Sequence, residues 1–436
     1  MRKDGFCVMK SYKSMSREEL ETLKSELEKE YEYYKGQGLK LDMSRGKPSM
    51  EQLDLSMDMM DILGSHDDLR CSTGVDCRNY GVLDGIPEAK ALLGAMCEVD
   101  GDKMIIYGNS SLNVMYDTVA RAMTHGIMGS TPWCKLDSVK FLCPVPGYDR
   151  HFAITEYFGI EMINVPMTPE GPDMDVVEKL VAEDENIKGI WCVPKYSNPQ
   201  GISYSDDTVR RFARLKPAAK DFRLFWDNAY SVHHLYDDDQ DVVLEILEEC
   251  EKAGNPDLPY KFTSTSKISF PGSGIAAIAT SKNNLEDIKK QLFIQTIGHD
   301  KLNQLRHVRF FKDIDGIHAH MRKHAAIMRP KFEAVIDTLE TELGGLEIGS
   351  WIKPKGGYFI SFDAMDGCAK AIVAKAKEAG VVMTGAGATY PYGKDPHDSN
   401  IRIAPSFPTL DELKLAAKLF TVCVKLVSVE KLLGNI

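Results

Sequence analysis

The residue of this chain whose type and setting are best suited to chemistry is Lys267. It closes the hydroxyl-rich stretch Ser264-Thr265-Ser266-Lys267 and precedes a Gly/Pro-rich turn at residues 271–274. A lysine is strongly hydrated and is rarely placed among small residues merely to be solvated. Two chemistries would use it there. It could bind a phosphate as a point charge, or it could attack a carbonyl as a desolvated amine and form a Schiff base.

Three polar residues follow short apolar runs that are typical of buried strands. Asp227 comes directly after Leu224-Phe225-Trp226, Tyr230 follows three residues later, and Asn198 lies in a Pro/Gly-containing segment, residues 196–201. A carboxylate at the end of a buried strand is costly unless a cation or a hydrogen-bond donor pairs with it. Taken alone, Asp227 could instead cap a helix, and residues 196–201 could be a plain turn.

A candidate anion site lies in residues 108–113, which contain Ser110 and Ser111 and precede an apolar helical stretch. Small hydroxyl residues and free amides at a helix N-terminus can bind an anion, although they could also simply cap the helix. The sequence contains no Gly-x-x-x-x-Gly-Lys-Ser/Thr loop, which argues against a nucleoside triphosphatase.

An aromatic residue and an arginine complete the set. Tyr148 follows the apolar run 141–143, and Arg402 lies within Ile401-Arg402-Ile403. A guanidinium in an apolar run needs a carboxylate or a phosphate, or else a structural ion pair. The whole set suits pyridoxal phosphate, which needs a lysine for a Schiff base and a carboxylate to keep its ring nitrogen protonated.

The alternation of short apolar runs with amphipathic segments predicts the scaffold that brings these side chains together. Between about residues 80 and 330 it indicates a doubly wound α/β domain. Ligands of such sheets bind at the carboxyl ends of the strands, so the loops that follow the strands should converge. The strands predicted there are residues 140–143, 189–193, 223–226 and 275–279.

Both ends of the chain have patterns of their own. Ser16 and Glu19 form a capping-box sequence at the start of a helix that should end near Gly36. After about residue 330, short strands and an Ala/Lys-rich helix indicate a smaller α+β lobe. The strands predicted in this lobe are residues 356–362, 380–383 and 400–404.

Composition excludes several classes of protein. The 436 residues are 43% hydrophobic and 27% charged, with a formal net charge of −11. This balance argues against nucleic acid or an anionic membrane surface as the main partner. The ten cysteines form no CxxC pair and no cluster with zinc spacing, so we expect reduced, buried thiols and no metal site. The sequence shows no signal peptide and no apolar run of membrane-spanning length, which predicts a cytoplasmic protein.

The order and spacing of the motifs resemble those of the fold-type-I pyridoxal-phosphate enzymes, in particular the class I aminotransferases, over nearly the whole chain. The matching motifs are Tyr80 with Gly85-Ile86-Pro87-Glu88, Ser110-Ser111, Pro146-Gly147-Tyr148, Asn198-Pro199-Gln200-Gly201, Asp227-Asn228-Ala229-Tyr230, Ser264-Thr265-Ser266-Lys267, Gly356-Gly357-Tyr358-Phe359 and Arg402. Residues 41–48 and 303–310 look like those of the bacterial aspartate aminotransferase subgroup whose catalytic domain is related to that of the MocR regulators.

This resemblance implies a fold and a division into domains. A large domain with a doubly wound, mainly parallel sheet would bind the cofactor, and a smaller α+β domain would pack beside it. We expect residues 1–60 to form an N-terminal helix and a segment that joins the small domain. Residues 61–330 would form the large domain, and residues 331–436 the small one.

The resemblance also assigns roles at the cofactor. Lys267 would form the Schiff base with pyridoxal 5'-phosphate and then move the substrate proton. Asp227 would pair with the ring nitrogen, Asn198 and Tyr230 would hydrogen-bond the ring hydroxyl oxygen, and Tyr148 would stack on the ring. The phosphate would be bound by four serines and, across a homodimer interface, by a tyrosine: Ser110, Ser111, Ser264, Ser266 and Tyr80.

Substrate binding follows the family pattern only in part. Arg402 would clamp the substrate α-carboxylate, with Gly46 lining the same pocket. Class I relatives usually carry a phosphate-binding arginine a few residues after the lysine, and residues 271–275 contain none. The usual arginine for a distal carboxylate has no clear counterpart, and the nearby cations that could replace it are Lys301, Arg306 and Arg309.

The predicted activity is transfer of the α-amino group of an amino acid, with aspartate favoured, to an oxo acid such as 2-oxoglutarate. An aminotransferase of other specificity, or a β-lyase or decarboxylase on the same fold, would use the same residues. A ligand-sensing regulator of the MocR type is disfavoured, because only about 40 residues precede the matching segment and they hold one acidic helix. We expect a homodimer with its active site at the interface.

Overall fold

The structure is a computed structural model that describes residues 10–435. The predicted thiol of Cys7 lies outside this range. The α-helices are α1 Arg17–Lys35, α2 Met50–Asp54, α3 Pro87–Cys97, α4 Ser111–His125, α5 Asp149–Tyr157, α6 Met174–Glu183, α7 Asp206–Ala213, α8 Ile246–Lys252, α9 Lys282–Gln295, α10 Lys301–Phe311, α11 Ile314–Leu343, α12 Ala369–Glu378 and α13 Leu410–Leu432. The strands are β1 Leu41–Met43, β2 Met104–Ile106, β3 Lys140–Val145, β4 Glu161–Thr168, β5 Gly171–Pro172, β6 Ile187–Cys192, β7 Arg223–Asp227, β8 Pro259–Ser264, β9 Ala276–Ala279, β10 Gly349–Trp351, β11 Ile360–Ala364, β12 Val381–Met383 and β13 Asn400–Ile403.

The central element is an eight-stranded sheet with the order β2-β9-β8-β7-β6-β3-β4-β5. The five strands from β8 to β4 in this order run parallel to one another, whereas β9 is antiparallel to both of its neighbours. Alternate residues of β7 pack into two different cores, since Leu224 and Trp226 belong to one and Phe225 to the other. Burial on both faces explains why the strands are continuous apolar runs in the sequence. The predicted α/β fold with a mainly parallel sheet is confirmed.

The strand order places the predicted chemistry at one edge of the sheet. Asp227 is the last residue of β7 and Ser264 is the last residue of β8. The loops that carry Tyr148 and Asn198 follow β3 and β6; β6 lies next to β7 in the sheet, and β3 lies next to β6. Because parallel strands end at the same edge, these loops meet there.

A third core joins the two ends of the chain. Leu20, Leu27 and Tyr31 of α1 belong to the same cluster as buried residues of α11 and α13. β1 pairs in parallel with β12, and β11 lies between β10 and β13 in an antiparallel sheet. The helix predicted from the capping box is present, because Ser16 and Glu19 bond reciprocally and Gly36 is the C-cap. The segment that forms α1 and β1 therefore packs with the C-terminal elements.

The strand predicted at residues 356–362 is wrong for its first four residues, because β11 begins at Ile360. A side chain on Gly356 would lie 2.3 Å from the ring of Tyr196, and Gly357 has a φ of +81°. The two glycines therefore form a loop that packs closely against Tyr196, where an extended strand with side chains would not fit.

Within residues 10–435, no helix combines the length and the apolar character needed to cross a bilayer.

The nine cysteines within residues 10–435 are unpaired, and eight of them are buried. Cys134 is exposed, so the prediction of burial is wrong for this residue. It lies in a short 3-10 turn, Trp133–Lys135, in which Trp133 is the buried residue.

Candidate active site

A cavity of about 220 Å³ lies at the carboxyl edge of the central sheet. Nine of the residues predicted from the sequence line it: Ser110, Ser111, Tyr148, Asn198, Asp227, Tyr230, Ser264, Ser266 and Lys267. They come from loops that are up to 157 residues apart in the chain, since Ser110 and Lys267 lie at the two ends of this set. The fold thus brings the predicted lysine, carboxylate, amide, tyrosines and hydroxyl groups into one space.

The turn that carries Lys267 is held by hydrogen bonds through Thr265. The Thr265 carbonyl accepts from the amides of Ile268 and Ser269, both at 2.9 Å, and the Thr265 amide donates to the Ile275 carbonyl at 2.9 Å. The buried Thr265 hydroxyl accepts from the Ile275 amide at 3.0 Å and lies 3.1 Å from Nε2 of His307. The backbone on either side of Lys267 is therefore fixed, so its side chain enters the cavity from a rigid support.

The environment of Lys267 favours the neutral amine. Burial lowers the pKa of the Lys267 amine below its usual value. The negative charge of Asp227 acts against this shift, and the positive charge of Arg402 adds to it. A lysine nucleophile must be unprotonated to attack a carbonyl, so this environment suits Schiff-base chemistry better than phosphate binding by a point charge.

Asp227 presents its two carboxylate oxygens to different surroundings. Oδ2 lies 3.0 Å from Nε2 of His151, and both side chains are almost fully buried. Oδ1 is buried and has no hydrogen-bond partner among the described residues. The His151 ring is itself held by stacking on Trp191, with ring centroids 4.4 Å apart and planes 10° apart. An unpaired buried carboxylate oxygen is costly, so Oδ1 is placed to receive a donor from a ligand in the cavity.

Asn198 and Arg402 form a polar pair on the next part of the cavity wall. Nη1 of Arg402, a residue of β13, donates to Oδ1 of Asn198 at 3.2 Å. This contact orients the Asn198 amide, because its Nδ2 must then point away from the arginine. Nη1 of Arg402 also donates to Oδ1 of Asp149 at 2.7 Å, and Nε of Arg402 is buried with no partner among residues 10–435. Arg402 does not line the cavity directly in the described structure, but it lies one side chain behind Asn198.

The four serines lie on two loops that are joined to each other. Ser110 is the N-cap of α4, where its side chain accepts from the Leu112 amide at 3.2 Å, and Ser111 is the first residue of the helix. Ser264 donates to Ser266 at 3.0 Å, and Ser266 donates to the Asn109 carbonyl at 3.1 Å. The free amides at the start of α4 and the hydroxyl groups opposite them form a cradle of the kind that binds phosphate.

The two tyrosines of the cavity are protonated phenols. Burial raises the pKa of the Tyr230 hydroxyl well above its usual value, and the nearby Tyr148 and Asp227 act in the same direction. Burial also raises the pKa of Tyr148, with further contributions from Asp227 and Asp149. Both hydroxyl groups are therefore hydrogen-bond donors at neutral pH rather than phenolates.

Tyr80 and Gly46 also lie outside the cavity wall, for different reasons. Tyr80 is 79% exposed and does not line the cavity among the described residues. Gly46 lies against Phe359, because a side chain on this glycine would come within 2.4 Å of the Phe359 ring. The guanidinium of Arg402 packs over the same ring, 4.8 Å from its centroid. Gly46 is thus close to Arg402 through Phe359, whereas Tyr80 faces solvent.

The cations considered for a distal carboxylate all belong to helix α10. Lys301 is the first residue of α10 and is only 5% exposed. Nη2 of Arg306 donates to Oγ of Ser273 at 2.5 Å and also to Asn303. Arg309 donates to the carbonyl of Asp68. None of the three lines the cavity in the part of the chain that the structure describes.

Sequence reasoning did not single out His151 or Asp149, the partners of Asp227 and Arg402. His151 follows Tyr148 by three residues at the start of α5, and residues three apart on a helix share a face. That spacing could have indicated a histidine beside the cavity. Asp149 gives no such signal, because an acidic residue in the first turn of a helix is common for reasons of helix stability alone.

Comparison with known proteins places the chain in a family. A family model described as aspartate amino-transferase matches residues 15–436. The chain is 47% identical over 427 residues to a protein of Mycolicibacterium smegmatis that is described provisionally as an aminotransferase, and the match covers 98% of this chain and 100% of that protein. It is 42% identical over 431 residues to an aspartate aminotransferase of Corynebacterium glutamicum, with 99% of each chain covered.

A solved structure agrees with this assignment. The crystal structure of an aspartate transaminase from Corynebacterium glutamicum matches with a TM-score of 0.95 and 42% identity, covering 97% of this chain and 99% of that chain. The predicted resemblance to class I aminotransferases is confirmed, while the relation to the MocR regulators stays a prediction. Since both the sequence match and the structural match extend over nearly the full length, this chain is a member of the aspartate aminotransferase family.

Proposed function

We propose that this protein is a pyridoxal-phosphate-dependent aminotransferase that moves the α-amino group of aspartate to an oxo acid such as 2-oxoglutarate. The observation that carries the proposal is the unpaired, buried Oδ1 of Asp227 in the same cavity as the amine of Lys267, whose pKa is lowered. A ring N–H would satisfy this oxygen, and an aldehyde would react with this amine.

The other residues of the cavity fit the same cofactor. The hydroxyl groups of Ser110, Ser111, Ser264 and Ser266, with the amides at the start of α4, would hold its phosphate. Nδ2 of Asn198 and the Tyr230 hydroxyl would donate to the ring hydroxyl oxygen, and Tyr148 would cover one face of the ring. When bound, the protonated ring of pyridoxal phosphate withdraws electrons from the bonds at the substrate Cα.

The protein side chains then have distinct tasks. Asp227, held by His151, would keep a proton on the ring nitrogen, because a carboxylate beside this nitrogen favours its protonated form. Lys267 would take the proton from the substrate Cα and deliver it to the former aldehyde carbon of the cofactor, which requires the neutral amine that burial favours. Arg402 binds the substrate α-carboxylate, and the Gly46 loop covers this end of the pocket through Phe359.

The choice of aspartate rests on the name of the relative from Corynebacterium glutamicum and on the family description. Reading the distal carboxylate of aspartate requires a further cation, for which we propose Lys301 or Arg306. Both belong to α10, which begins four residues after the exposed side chain of Ile297. In this arrangement α10 lies beside a subunit interface, and its cations would serve the site of the neighbouring subunit.

Arg306 could also supply the positive charge that the class I pattern places on an arginine shortly after Lys267. Through its bond to Ser273, Arg306 contacts the turn at residues 271–274, where the class I resemblance leads us to expect that arginine. Pro271 of the same turn lines the cavity. We propose that Arg306 brings a positive charge to the phosphate side of the site from α10.

A homodimer is part of the proposal. Tyr80 would reach the phosphate of the partner site, which agrees with its 79% exposure in a single chain. Exposed apolar side chains lie nearby on the segment that ends α9: Phe293 is 69%, Ile294 is 84% and Ile297 is 56% exposed. The two segments adjoin, because a side chain on Gly298 would lie 2.6 Å from the Gly81 carbonyl oxygen. Contiguous exposed apolar side chains of this kind mark protein interfaces.

We also propose the domain division into residues 1–60, 61–330 and 331–436. The pairing of β1 with β12 and the packing of α1 against α13 support the assignment of the first segment to the small domain. A cytoplasmic location remains part of the proposal as well.

The proposal is tested with purified protein, a panel of amino donors and a panel of oxo-acid acceptors. We expect conversion of aspartate and 2-oxoglutarate to their oxo- and amino-acid counterparts, with a reversible change in the visible spectrum of the cofactor. Release of ammonia or carbon dioxide in place of an exchanged amino group would indicate a lyase or a decarboxylase. A Lys267→Ala variant should lose turnover and the absorbance of the lysine-linked cofactor, and normal turnover by this variant would refute the assignment.

A further inference from the structure

The guanidinium of Arg402 is already engaged by protein groups before any substrate arrives. Its Nη1 donates both of its hydrogens, one to Oδ1 of Asp149 at 2.7 Å and one to Oδ1 of Asn198 at 3.2 Å. Arg402 is 7% exposed, so its charge is largely removed from water. A buried guanidinium without an anion would be costly, and Asp149 supplies that anion in the ligand-free protein.

Asp149 and Asn198 both bind Nη1 of Arg402, and the rest of the guanidinium is restricted by its surroundings. Nε of Arg402 is buried with no partner among the described residues, so a ligand in the cavity cannot approach it without a rearrangement. One face of the guanidinium packs over the Phe359 ring at 4.8 Å. A carboxylate that enters from the cavity therefore meets the two Nη atoms, and the favoured bidentate geometry needs both of them.

Of the two partners of Nη1, Asp149 is the one that can leave. Asn198 is 4% exposed and lies in a turn closed by the bond from the Gly201 amide to the Ser197 carbonyl. The Asp149 side chain is 34% exposed, and its contact with Arg402 is the one side-chain hydrogen bond that it makes within residues 10–435. It is the first residue of α5, where rotation of its side chain toward water disturbs no helical hydrogen bond.

We propose that Asp149 is a built-in competitor that occupies the α-carboxylate position on Arg402 and is displaced when substrate binds. The inference rests on the proposed function, in which Arg402 binds the substrate α-carboxylate. Binding then exchanges one carboxylate for another at Arg402, so this contact alone gains little. A ligand with a single carboxylate and no second point of attachment, such as acetate, is excluded, whereas an amino or oxo acid has further groups that the site can hold.

Succinate is a suitable probe, because it has two carboxylates but neither an amino nor an oxo group and cannot react. Its dissociation constant is measured by calorimetry on the cofactor-loaded protein and on the apoprotein. We expect Asp149→Asn to bind succinate about three- to tenfold more tightly than the wild type, since the competing charge is gone. Acetate binding should become detectable in the same variant. Unchanged or weaker binding of succinate would overturn the inference and would mean that Asp149 merely orients the arginine.

A matched control is Asp206→Asn. Asp206 is also the first residue of a helix, α7, and also pairs with an arginine, Arg210, at 3.3 Å, but it lies away from the cavity. This variant should bind succinate like the wild type. Asp149→Ser is a second variant in case the asparagine variant is poorly folded, and thermal unfolding of each variant checks this. Damage to the fold would weaken succinate binding, which is opposite to the expected change.

The Arg402→Leu background separates this inference from the proposed function. Asp149→Asn should have no effect on succinate binding when Arg402 is absent, because the two residues act through one contact. If Arg402→Leu binds succinate as tightly as the wild type, the proposed role of Arg402 fails and the competitor model fails with it. If Arg402→Leu loses binding while Asp149→Asn leaves it unchanged, the role of Arg402 stands and only the competitor model is refuted.

Discussion

At the scale of single residues, the site depends on two groups that other protein groups do not fully satisfy: a carboxylate oxygen without a hydrogen-bond donor and a lysine amine removed from water. Asp227 has one oxygen bonded to His151 and one without a partner within residues 10–435, and burial shifts the Lys267 amine toward its neutral form. Neither arrangement favours folding by itself, because an unpaired oxygen and a desolvated amine both cost stability. Both are favourable for a ligand that brings a ring N–H and an aldehyde.

The role of Asp227 can be checked by Asp227→Ala. We expect kcat to fall by a factor on the order of 10²–10⁴, because an unprotonated ring is a poorer electron acceptor when the Cα proton is removed. The kinetic isotope effect with α-deuterated aspartate should rise, since proton removal becomes the slowest step. An undiminished rate, or an unchanged isotope effect with a reduced rate, would contradict this role.

The shifted pKa of Lys267 predicts a pH-dependent stability of the apoprotein. Because burial lowers this pKa in the folded state, the unfolded chain binds a proton that the folded chain releases between the folded value and about 10.4. Stability therefore rises with pH across this window. Lys267→Met should stabilise the apoprotein by about 1 kcal/mol at pH values below the window, and the gain should shrink as pH approaches about 10.4.

Denaturant unfolding at several pH values measures this difference. Lys414→Met is the control, since Lys414 is exposed on α13 and should show no such trend. A gain that stays constant with pH would mean that the protonation of Lys267 is the same in the folded and unfolded states.

At the scale of elements, helix α4 directs its N-terminus at the cavity. Its N-cap, Ser110, is one of the cavity-lining hydroxyl residues, and its first amides are those that a phosphate would use. The helix is 15 residues long, so its dipole is fully developed. In the proposed function, the cap that begins the helix would also hold the phosphate, and substitution can separate these two roles.

The Ser110→Asp variant tests helix capping and phosphate binding separately. Aspartate is as good an N-cap as serine and interacts favourably with the helix dipole, so apoprotein stability should be unchanged or slightly higher. Its charge would repel a phosphate, and we expect the affinity for pyridoxal phosphate to fall by about 100-fold or more. Ser205→Asp is the matched control, because Ser205 is the N-cap of α7, where it accepts from the Thr208 amide. Equal cofactor affinity in both variants would contradict a phosphate site at α4.

Local patterns predicted most of the elements, and contacts between distant residues account for the errors. The capping box at Ser16 and the apolar runs of β3, β6 and β7 carry their signal within a few residues. The loop at residues 356–359 was wrongly predicted as strand, because its conformation is set by the Tyr196 ring, which is 160 residues away from Gly356. A sequence window around the two glycines contains no information about that ring.

The residues of the candidate site also fall into two groups: those that local sequence predicts and those that only long-range contacts define. Residues at strand ends and helix starts, such as Asp227 and Ser110, could be found from position alone. The second partners could not, because the pairing of His151 with Asp227 and of Asp149 with Arg402 joins residues 76 and 253 positions apart. The contact of Arg306 with Ser273 is also long-range, and it places a cation beside the turn in which the sequence lacks the expected arginine.

At the scale of the whole molecule, the exposed tyrosine and the apolar side chains at the end of α9 predict assembly. Ile294→Glu should convert the proposed dimer to a monomer in light scattering, because a buried charge without a partner disfavours the interface. Activity should fall with it, since Tyr80 would no longer reach a partner site. Val242→Glu is the control, since Val242 is 79% exposed but lies on a different surface groove. A monomeric wild type with full activity would contradict the dimer.

Because His151 stacks on Trp191, the fluorescence of Trp191 should report on ligand binding in the cavity. The imidazole lies 4.4 Å from the indole and shares Asp227 with the cavity, so any ligand that binds Oδ1 changes the charge balance directly beneath this tryptophan. Indole emission responds to such a change in its immediate electrostatic surroundings. Filling of the cavity can therefore be followed by the intrinsic fluorescence of Trp191, with no dye or tag, in a form of the protein that retains Trp191 and has its other tryptophans, Trp133, Trp226 and Trp351, replaced.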